Sequence, residues 1–271
     1  MSDPIDLFVE GCSGLAAMSL RLADPNGKPP VTRMGNKAGY SNAILDILGL
    51  APGSGAKRWL LCDPDPGIRT LLNAYRDPEI RSATAEVFRS WTEEEPFLLW
   101  RRLKDQGPLR PDPPDPMEVA RYVWTQGQSF CGTGQGFAPA RSKTTVSNYA
   151  KRIDSLPTLE GLRVSPDLRL VDPGEVFAEL PSNARVVLYL DPPYVETSGY
   201  GHELSRAEVV RVALRWASYG ATVVISEAEP LRRLVRLGWK VFDITRHREG
   251  VRRQNFSVQQ REVLTVFRGG V

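Results

Sequence analysis

The stretch that decides the fold is Val186-Val187-Leu188-Tyr189-Leu190, followed directly by Asp191-Pro192-Pro193-Tyr194. Five consecutive apolar residues without polar alternation predict a strand that is buried on both faces, as in a parallel sheet. The two prolines stiffen the loop that follows it. Because open α/β sheets bind ligands at the carboxyl ends of their strands, this loop provides the first candidate site residues.

Similar apolar runs lie on both sides of this strand, and helical patterns separate them. The predicted strands cover residues 5–10, 59–63, 168–172, 186–190, 221–226, 239–245 and 262–267. The predicted helices cover residues 15–22, a second helix capped by Ser41, 66–75, 205–219 and 230–237. This alternation predicts an α/β fold with a largely parallel sheet, helices on both faces and an antiparallel final strand pair.

Residues 76–165 differ in character from the rest of the chain. They are rich in Arg, Glu, Trp, Pro and Gly, and a proline-rich segment at 108–116 predicts an extended linker. A stretch this long with little strand pattern predicts an insert. We therefore expect residues 1–75 and 166–271 to form one domain, and residues 76–165 to form a mostly helical or irregular insert.

The composition excludes several classes of protein. The three cysteines are far apart and form no CxxC pair, and there are only 2 histidines, so we expect no metal. No apolar run approaches the roughly 20 residues of a membrane span, and the first residues lack signal-peptide features. We therefore expect a cytoplasmic protein with no membrane partner.

The net charge of +3 is weak evidence for a polyanionic partner, but its distribution is more informative. Between the last two predicted strands lie Arg246, Arg248, Arg252 and Arg253, and Arg261 directly precedes the final strand. They form either a solvated basic face or a surface that contacts phosphate groups.

Further candidate residues lie in three segments nearer the N-terminus. Phe8-Val9-Glu10-Gly11-Cys12-Ser13-Gly14 reads as a strand, a turn and the approach to a helix, the unit that presents helix N-terminal N–H groups to a ligand. Arg33-Met34-Gly35-Asn36-Lys37 precedes the second helix. Asp63 ends a strand, where a carboxylate can accept hydrogen bonds from two adjacent hydroxyls or can simply be an exposed acid.

Together these segments resemble the Dam-type DNA adenine-N6 methyltransferases, over most of the chain outside residues 76–165. The resemblance implies a Rossmann-like sheet, S-adenosylmethionine as cofactor and a catalytic loop formed by Asp191, Pro192, Pro193 and Tyr194. It implies a cofactor site formed by Phe8, Glu10, Gly11, Cys12, Ser13, Gly14, Lys37, Asp63 and Asp191. We add Asp172 to that site, because it follows the predicted strand 168–172 and could accept from the adenine amine of the cofactor. Arg261-Glu262-Val263-Leu264 resembles the closing strand of the family.

The chain departs from the family pattern in two places. The Phe-x-Gly-x-Gly motif of the family is here Cys12-Ser13-Gly14-Leu15-Ala16, which retains one glycine. The Gly-x-Lys segment, which usually precedes that motif, follows it here and ends at Lys37.

The resemblance also implies a chemistry. The N6 amine of adenine is a poor nucleophile, and the Asp191 carboxylate and the Pro192 carbonyl can accept hydrogen bonds from its two hydrogens. Tyr194 can stack on a base swung out of the duplex. We therefore expect double-stranded DNA as partner of a monomeric protein, with Arg246, Arg248, Arg252 and Arg253 on the DNA backbone.

Several alternatives stay open. Methylation of cytosine-N4 or of RNA adenine uses the same amine chemistry, although Asp191 favours adenine because cytosine-N4 enzymes more often carry Ser there. An inactive nucleic-acid-binding relative is a third reading. Cytosine-C5 chemistry is disfavoured, because none of the three cysteines follows a proline. Phe130, in a glycine-rich setting, is either a DNA-contacting residue or a buried aromatic.

Overall fold

The computed structural model describes residues 5–33, 35–138, 145–193, 204–248 and 261–269. The strands in these ranges form one sheet of seven strands: β1 Leu7–Gly11, β2 Trp59–Cys62, β3 Leu162–Ser165, β4 Val186–Leu190, β5 Thr222–Glu227, β6 Lys240–Asp243 and β7 Val263–Phe267. Their order in the sheet is β3-β2-β1-β4-β5-β7-β6. The pairs from β3 to β5 are parallel, and β7 is antiparallel to both of its neighbours. The mostly parallel α/β sheet and its antiparallel final pair are confirmed, and the order is compatible with a Rossmann-like fold.

The helices of the described ranges are α1 Ala17–Ala23, α2 Ser41–Leu48, α3 Pro66–Tyr75, α4 Pro78–Ser90, α5 Pro96–Lys104, α6 Pro116–Gly127, α7 Val146–Asp154, α8 Pro173–Ala178, α9 Arg206–Ser218 and α10 Arg232–Arg236. The helices α3, α4, α5, α6 and α8 begin with a proline that follows an acidic cap. The acid accepts a backbone N–H of the first turn, and proline is favoured there because its φ is already helical. Ser41 is not the cap of α2 but its first residue, and its hydroxyl donates to the Ala38 carbonyl at 2.9 Å.

One predicted strand is wrong. Residues 168–172 do not join the sheet, since Leu168–Leu170 form a 3₁₀ turn in which the Asp167 side chain accepts from the Arg169 N–H. Leu170 is 75% exposed there. The strand beside β2 is β3, which lies at the sheet edge and is buried only in part. An edge strand needs less apolar sequence than a central one, so its pattern was too weak to identify.

Apolar side chains cover both faces of the sheet. On one face Phe8, Trp59 and Tyr189 share a core with aromatic residues of the helices between β2 and β3, among them Trp124 and Tyr149. The other face packs mainly under α9 and α10, through Val9, Leu188, Ile225, Val209, Trp216 and Leu234. A ligand can therefore approach the polar ends of the strands but not the faces of the sheet. The division of the chain into one domain and an insert stays a prediction.

No helix among the described residues combines the length and the apolar character needed to cross a membrane.

Candidate active site at the carboxyl edge of the sheet

The sheet reverses its winding direction at β1. From β1 the chain continues to β2 and β3 on one side, and then returns to β4 on the other side of β1. The loops that leave β1 and β4 therefore diverge and create a crevice between them. The Asp191 N–H still donates to the Gly11 carbonyl at 3.3 Å, so the crevice opens just beyond these residues.

Asp191 and Lys37 form a close ion pair in this crevice. Their Nζ–Oδ1 distance is 2.9 Å, and a second carboxylate, that of Glu262, lies 3.6 Å from the same Nζ. The Asp191 side chain is 20% exposed, whereas those of Lys37 and Glu262 are 8% and 5% exposed. Asp191 is thus the member of the group that a ligand can reach.

Burial raises the pKa of Asp191 to about 6, although the Lys37 ammonium acts in the opposite direction. Glu262 adds to the upward shift of this pKa through its like charge. The Asp191 carboxyl is therefore ionised at neutral pH, and it becomes a neutral acid within the mildly acidic range.

Glu227 ends the neighbouring strand β5 and is almost fully buried, with 2% of its surface exposed. Its Oε2 has no hydrogen-bond partner in the described part of the chain. The pKa of Glu227 is raised to about 7, chiefly by burial; Arg206 and Lys37 act against this shift, and Asp191 and Glu262 add to it. The edge at β4, β5 and β7 thus buries more acid than base.

The backbone of the loop after β1 adopts conformations that residues other than glycine rarely take. Cys12, Gly14 and Ala16 all have a positive φ, of 55°, 49° and 53°. Gly14 and Ala16 stand where the motif Phe-x-Gly-x-Gly places its glycines. Gly14 adopts such a φ readily, whereas Ala16 adopts it at a steric cost.

Both oxygens of the Glu10 carboxylate are hydrogen-bonded to other groups of the protein. Its carboxylate accepts from the Ser19 N–H at 2.9 Å, from the Ser19 hydroxyl at 2.5 Å and from the Met18 N–H at 3.4 Å. These N–H groups lie in the first turn of α1, whose cap residue Ala16 has no side-chain acceptor. The helix N-terminus expected to face a ligand is therefore occupied by Glu10, and burial raises the pKa of this acid to about 7.

Asp63 joins two loops. Its Oδ2 accepts from the Gly14 N–H at 2.9 Å, and its Oδ1 accepts from the Asp65 N–H at 3.0 Å. Burial raises the pKa of Asp63 to about 6. Asp65 caps α3 and pairs with Arg33 at 3.3 Å.

The other residues of the β1 segment differ in what they can contact. Phe8 is fully buried against Trp59, so its side chain belongs to the core. Gly11 packs so closely that an added Cβ would lie 2.6 Å from Leu190. Burial and the charges of Asp63 and Asp191 raise the pKa of the Cys12 thiol well above its usual value. Ser13 is buried, and its hydroxyl has no hydrogen-bond partner within the described ranges.

Asp172 does not follow a strand. It caps α8, pairs with Arg215 of α9 at 3.0 Å, and its side chain is 44% exposed. Asp167 follows the true strand β3, and its charge raises the pKa of both Cys12 and Cys62. Asp167, rather than Asp172, occupies the place after the third strand at this edge.

The basic segment is described in part. Arg246 and Arg248 are exposed, and the Arg248 guanidinium lies 5.8 Å from the centre of the Tyr40 ring. Tyr40 is close to Lys37 in the sequence. Tyr194, Arg252 and Arg253 lie outside the described residues, so their assignments stay predictions. Phe130 is 70% exposed, which contradicts the reading of a buried aromatic.

Three acids of this edge escaped the sequence analysis as site residues. Asp167 was hidden by the wrong strand assignment. Glu227 follows an apolar run in the same way as Asp63 and Asp191, so the pattern that identified those residues applies to it too. Glu262 precedes an apolar run, and since β7 is antiparallel, the start of this strand lies at the carboxyl edge of its neighbours.

Within the described ranges no group of three or more His, Cys, Asp or Glu residues is arranged to hold a metal ion. Comparison of the chain with known protein families finds no family that matches, and comparison with curated proteins finds no matching sequence.

Proposed function

We propose that the protein is an S-adenosylmethionine-dependent methyltransferase that acts on the N6 amine of adenine in DNA. The observation that carries the proposal is the position of Asp191-Pro192-Pro193 at the end of β4, beside the switch point and in contact with the buried Lys37. The two motifs that the resemblance linked, Asp-Pro-Pro-Tyr and Gly-x-Lys, are far apart in sequence. Their residues meet at 2.9 Å although their order along the chain is unusual.

The residues at the end of β1 fit the proposed cofactor. The positive φ of Gly14 and Ala16 turns the backbone sharply over the crevice, and the buried Ser13 hydroxyl has no partner in the described chain. Ser13, Gly14, Asp63 and Asp65 would hold the cofactor. When bound, S-adenosylmethionine supplies an electrophilic methyl group on a positively charged sulfur.

The charges of the crevice favour a cationic ligand. Asp191 and Glu262 together carry one negative charge more than Lys37 neutralises, and the three side chains are largely shielded from water. Since screening by water is weak there, the excess negative charge attracts a sulfonium more strongly than a neutral thioether.

Asp191 and the Pro192 carbonyl would act on the target amine. Both are acceptors at the end of a rigid strand, and hydrogen bonds from the two amine hydrogens would draw the nitrogen lone pair out of conjugation with the ring. The acceptors are in place before the reaction, so little reorganisation is needed in the transition state. Only the ionised Asp191 acts in this way, and because its pKa is about 6, the rate should fall as the pH drops through 6.

Arg246 and Arg248 are exposed, Arg248 lies against Tyr40, and both would contact the phosphate backbone of DNA. Such contacts act on all sequences and release counterions. Changing Arg252 and Arg253 together to Ala should flatten the salt dependence of duplex binding by up to about two units of slope, without a change in cofactor affinity.

The proposal is tested by incubating the protein with methyl-labelled S-adenosylmethionine and DNA, followed by nucleoside analysis. We expect N6-methyl-2′-deoxyadenosine from the wild type and a loss of at least about 100-fold in Asp191→Ala. Asp172→Ala, which removes an exposed acid outside the crevice, serves as the control and should retain activity.

Other outcomes would replace the proposal. Label in N4-methylcytosine, or label only when RNA is offered, would assign a different amine. Cofactor binding without transfer to any nucleic acid would leave a binding protein that lacks catalysis. Full activity of Asp191→Ala would remove this residue from the reaction.

A further inference from the structure

Glu262 is held by backbone contacts on both sides. Its N–H donates to the Thr245 hydroxyl at 3.0 Å, and its carbonyl accepts from the Ile244 N–H at 2.9 Å. These bonds join the start of β7 to the end of β6. The Glu262 backbone is therefore part of the rigid sheet edge, and it fixes where the side chain begins.

The two oxygens of the Glu262 side chain have different partners. Oε1 accepts a short hydrogen bond from the Ser226 hydroxyl at the end of β5, and Oε2 lies 3.6 Å from the Lys37 Nζ. Lys37 is closer to Asp191, at 2.9 Å. One ammonium is thus shared unequally by two carboxylates, and the farther of the two is anchored by a hydroxyl.

The Glu262 carboxylate is buried beside an ion pair that is already neutral without it. Lys37 and Asp191 alone would form a neutral pair, and adding Glu262, which is 4% exposed, costs solvation energy. Asp191 is more exposed than Lys37 or Glu262, so these two residues lie behind it as seen from the crevice. Glu262 is therefore placed to act on Asp191 through Lys37 and not on a ligand directly.

We infer that Glu262 is a positioning residue: it draws the Lys37 ammonium away from full pairing with Asp191, so that the Asp191 carboxylate keeps an oxygen free to accept from the target amine. The role in catalysis rests on the proposed function, whereas the coupling of the three charges does not.

Other ionisable groups also act on Asp191 and have to be held constant in a test. Their charges are coupled to it from β1, β4, β5 and the loop after β1, and they are Glu10, Tyr189, Glu227 and Cys12. Glu262→Gln leaves these four groups unchanged, so it alters chiefly the sharing of Lys37 between Asp191 and Glu262.

The first test follows the titration of Asp191 by carbon-13 NMR of the full-length protein, with the signal assigned by its loss in Asp191→Asn. Glu262→Gln keeps the shape and can still accept from Ser226, but it removes the negative charge that competes with Asp191 for Lys37. We expect the Asp191 titration to move to lower pH by about 0.5 pH unit or more. Asp243→Asn, which removes an exposed acid paired with Arg261 at the end of β6, should leave it in place.

A second variant, Ser226→Ala, allows the same titration to be measured if Glu262→Gln does not fold. Ser226→Ala removes the anchor of Glu262 without a change in charge, so Glu262 should take a larger share of Lys37 and the Asp191 titration should move to higher pH. Shifts of opposite sign in the two variants support the inference. An unchanged Asp191 titration in whichever variant folds overturns it, whatever the activity of the protein.

The second test measures methyl transfer. Glu262→Gln should lower kcat about 10-fold with little change in the KM for DNA, and the acid limb of its rate profile should move with the NMR titration. If the NMR shifts occur but no variant, including wild type, methylates any nucleic acid, the proposed function fails and the charge coupling stands. If kcat is unchanged while the NMR titration shifts, the positioning role is wrong.

Discussion

The β1 side and the β4 side of the carboxyl edge both bury carboxylates, but they satisfy them differently. On the β1 side, Glu10 and Asp63 accept backbone N–H groups and hold α1 and two loops in place. On the β4 side, Asp191 shares one ammonium with Glu262, and Glu227 has an oxygen without a partner in the described chain.

This difference indicates that the acids on the β1 side stabilise the fold, whereas those on the β4 side remain available for chemistry. Acids that accept backbone N–H groups contribute to stability, because losing them leaves buried donors unpaired. Acids that are buried in excess of their partners cost stability, and such strain is typical of functional sites. The comparison predicts opposite effects on stability for substitutions of acids on the two sides, such as Asp63 and Glu227.

The largest effect should come from Lys37→Met, which removes the buried ammonium that Asp191 and Glu262 share. We expect a loss of about 3 kcal/mol in the free energy of unfolding at pH 8, measured by urea denaturation. The loss should be smaller at pH 5, below the pKa of about 6 of Asp191, because the acid can then become neutral. Lys57→Met is the control, since Lys57 pairs with Asp6 but is 60% exposed, and it should cost less than about 1 kcal/mol. Equal losses in the two variants at pH 8 would show that burial does not increase the contribution of an ion pair to stability here.

Glu227→Gln should have the opposite sign and stabilise the protein by about 2 kcal/mol at pH 8. The pKa of Glu227 is raised from 4.5 to about 7 in the folded protein, so its contribution to stability is lost as the pH rises through 7. Glutamine removes that penalty, and the gain should therefore vanish near pH 4. Glu208→Gln is the contrasting variant: its pKa is lowered to about 2 by Ser205 and Arg169, so it should not gain stability at pH 8. If the effect of Glu227→Gln on stability did not depend on pH, the unfavourable burial of the Glu227 charge would be contradicted.

Asp63→Ala should destabilise the protein by roughly 1–2 kcal/mol, because the N–H groups of Gly14 and Asp65 lose their acceptor. It should also weaken binding of S-adenosylmethionine, measured by calorimetry, more than it lowers the turnover at saturating cofactor. Asp77→Ala is the matched control, because Asp77 also accepts two backbone N–H groups but caps α4. It should cost similar stability without an effect on binding, and unchanged affinity in Asp63→Ala would remove Asp63 from the site.

The smallest effect should come from Gly14→Ala, at about 1 kcal/mol. Gly14 has a φ of +49° and an added Cβ would meet nothing within 4 Å, so the cost is conformational alone. Gly49 at the end of α2 has the same properties, with a φ of +69°. Gly14→Ala and Gly49→Ala should therefore be equally destabilised in thermal unfolding, and only Gly14→Ala should bind the cofactor more weakly.

Part of this fold could be predicted from sequence because its central elements carry strong local signals. β4 and α3 were predicted to the residue, from an unbroken apolar run and from apolar residues at helix spacing. β3 was missed because an edge strand is half exposed and needs no such run. The apolar residues around Leu168 were misread, since a local bond from Asp167 to the backbone turns the chain there.

The candidate site divides in the same way. The sequence by itself determined that acids follow apolar strands at Asp63 and Asp191, because a buried strand must place its first polar residue where the sheet ends. Only the tertiary structure decided what each acid does. Glu10 accepts the N–H groups of Met18 and Ser19 at the start of α1, and Asp63 accepts that of Gly14 in the loop after β1. Asp191 meets Lys37 and Glu262 because the 3₁₀ turn Lys37–Gly39, β4 and β7 converge at one edge. Hydrogen bonds and charges act over a few ångströms in space, and sequence separation does not report that distance.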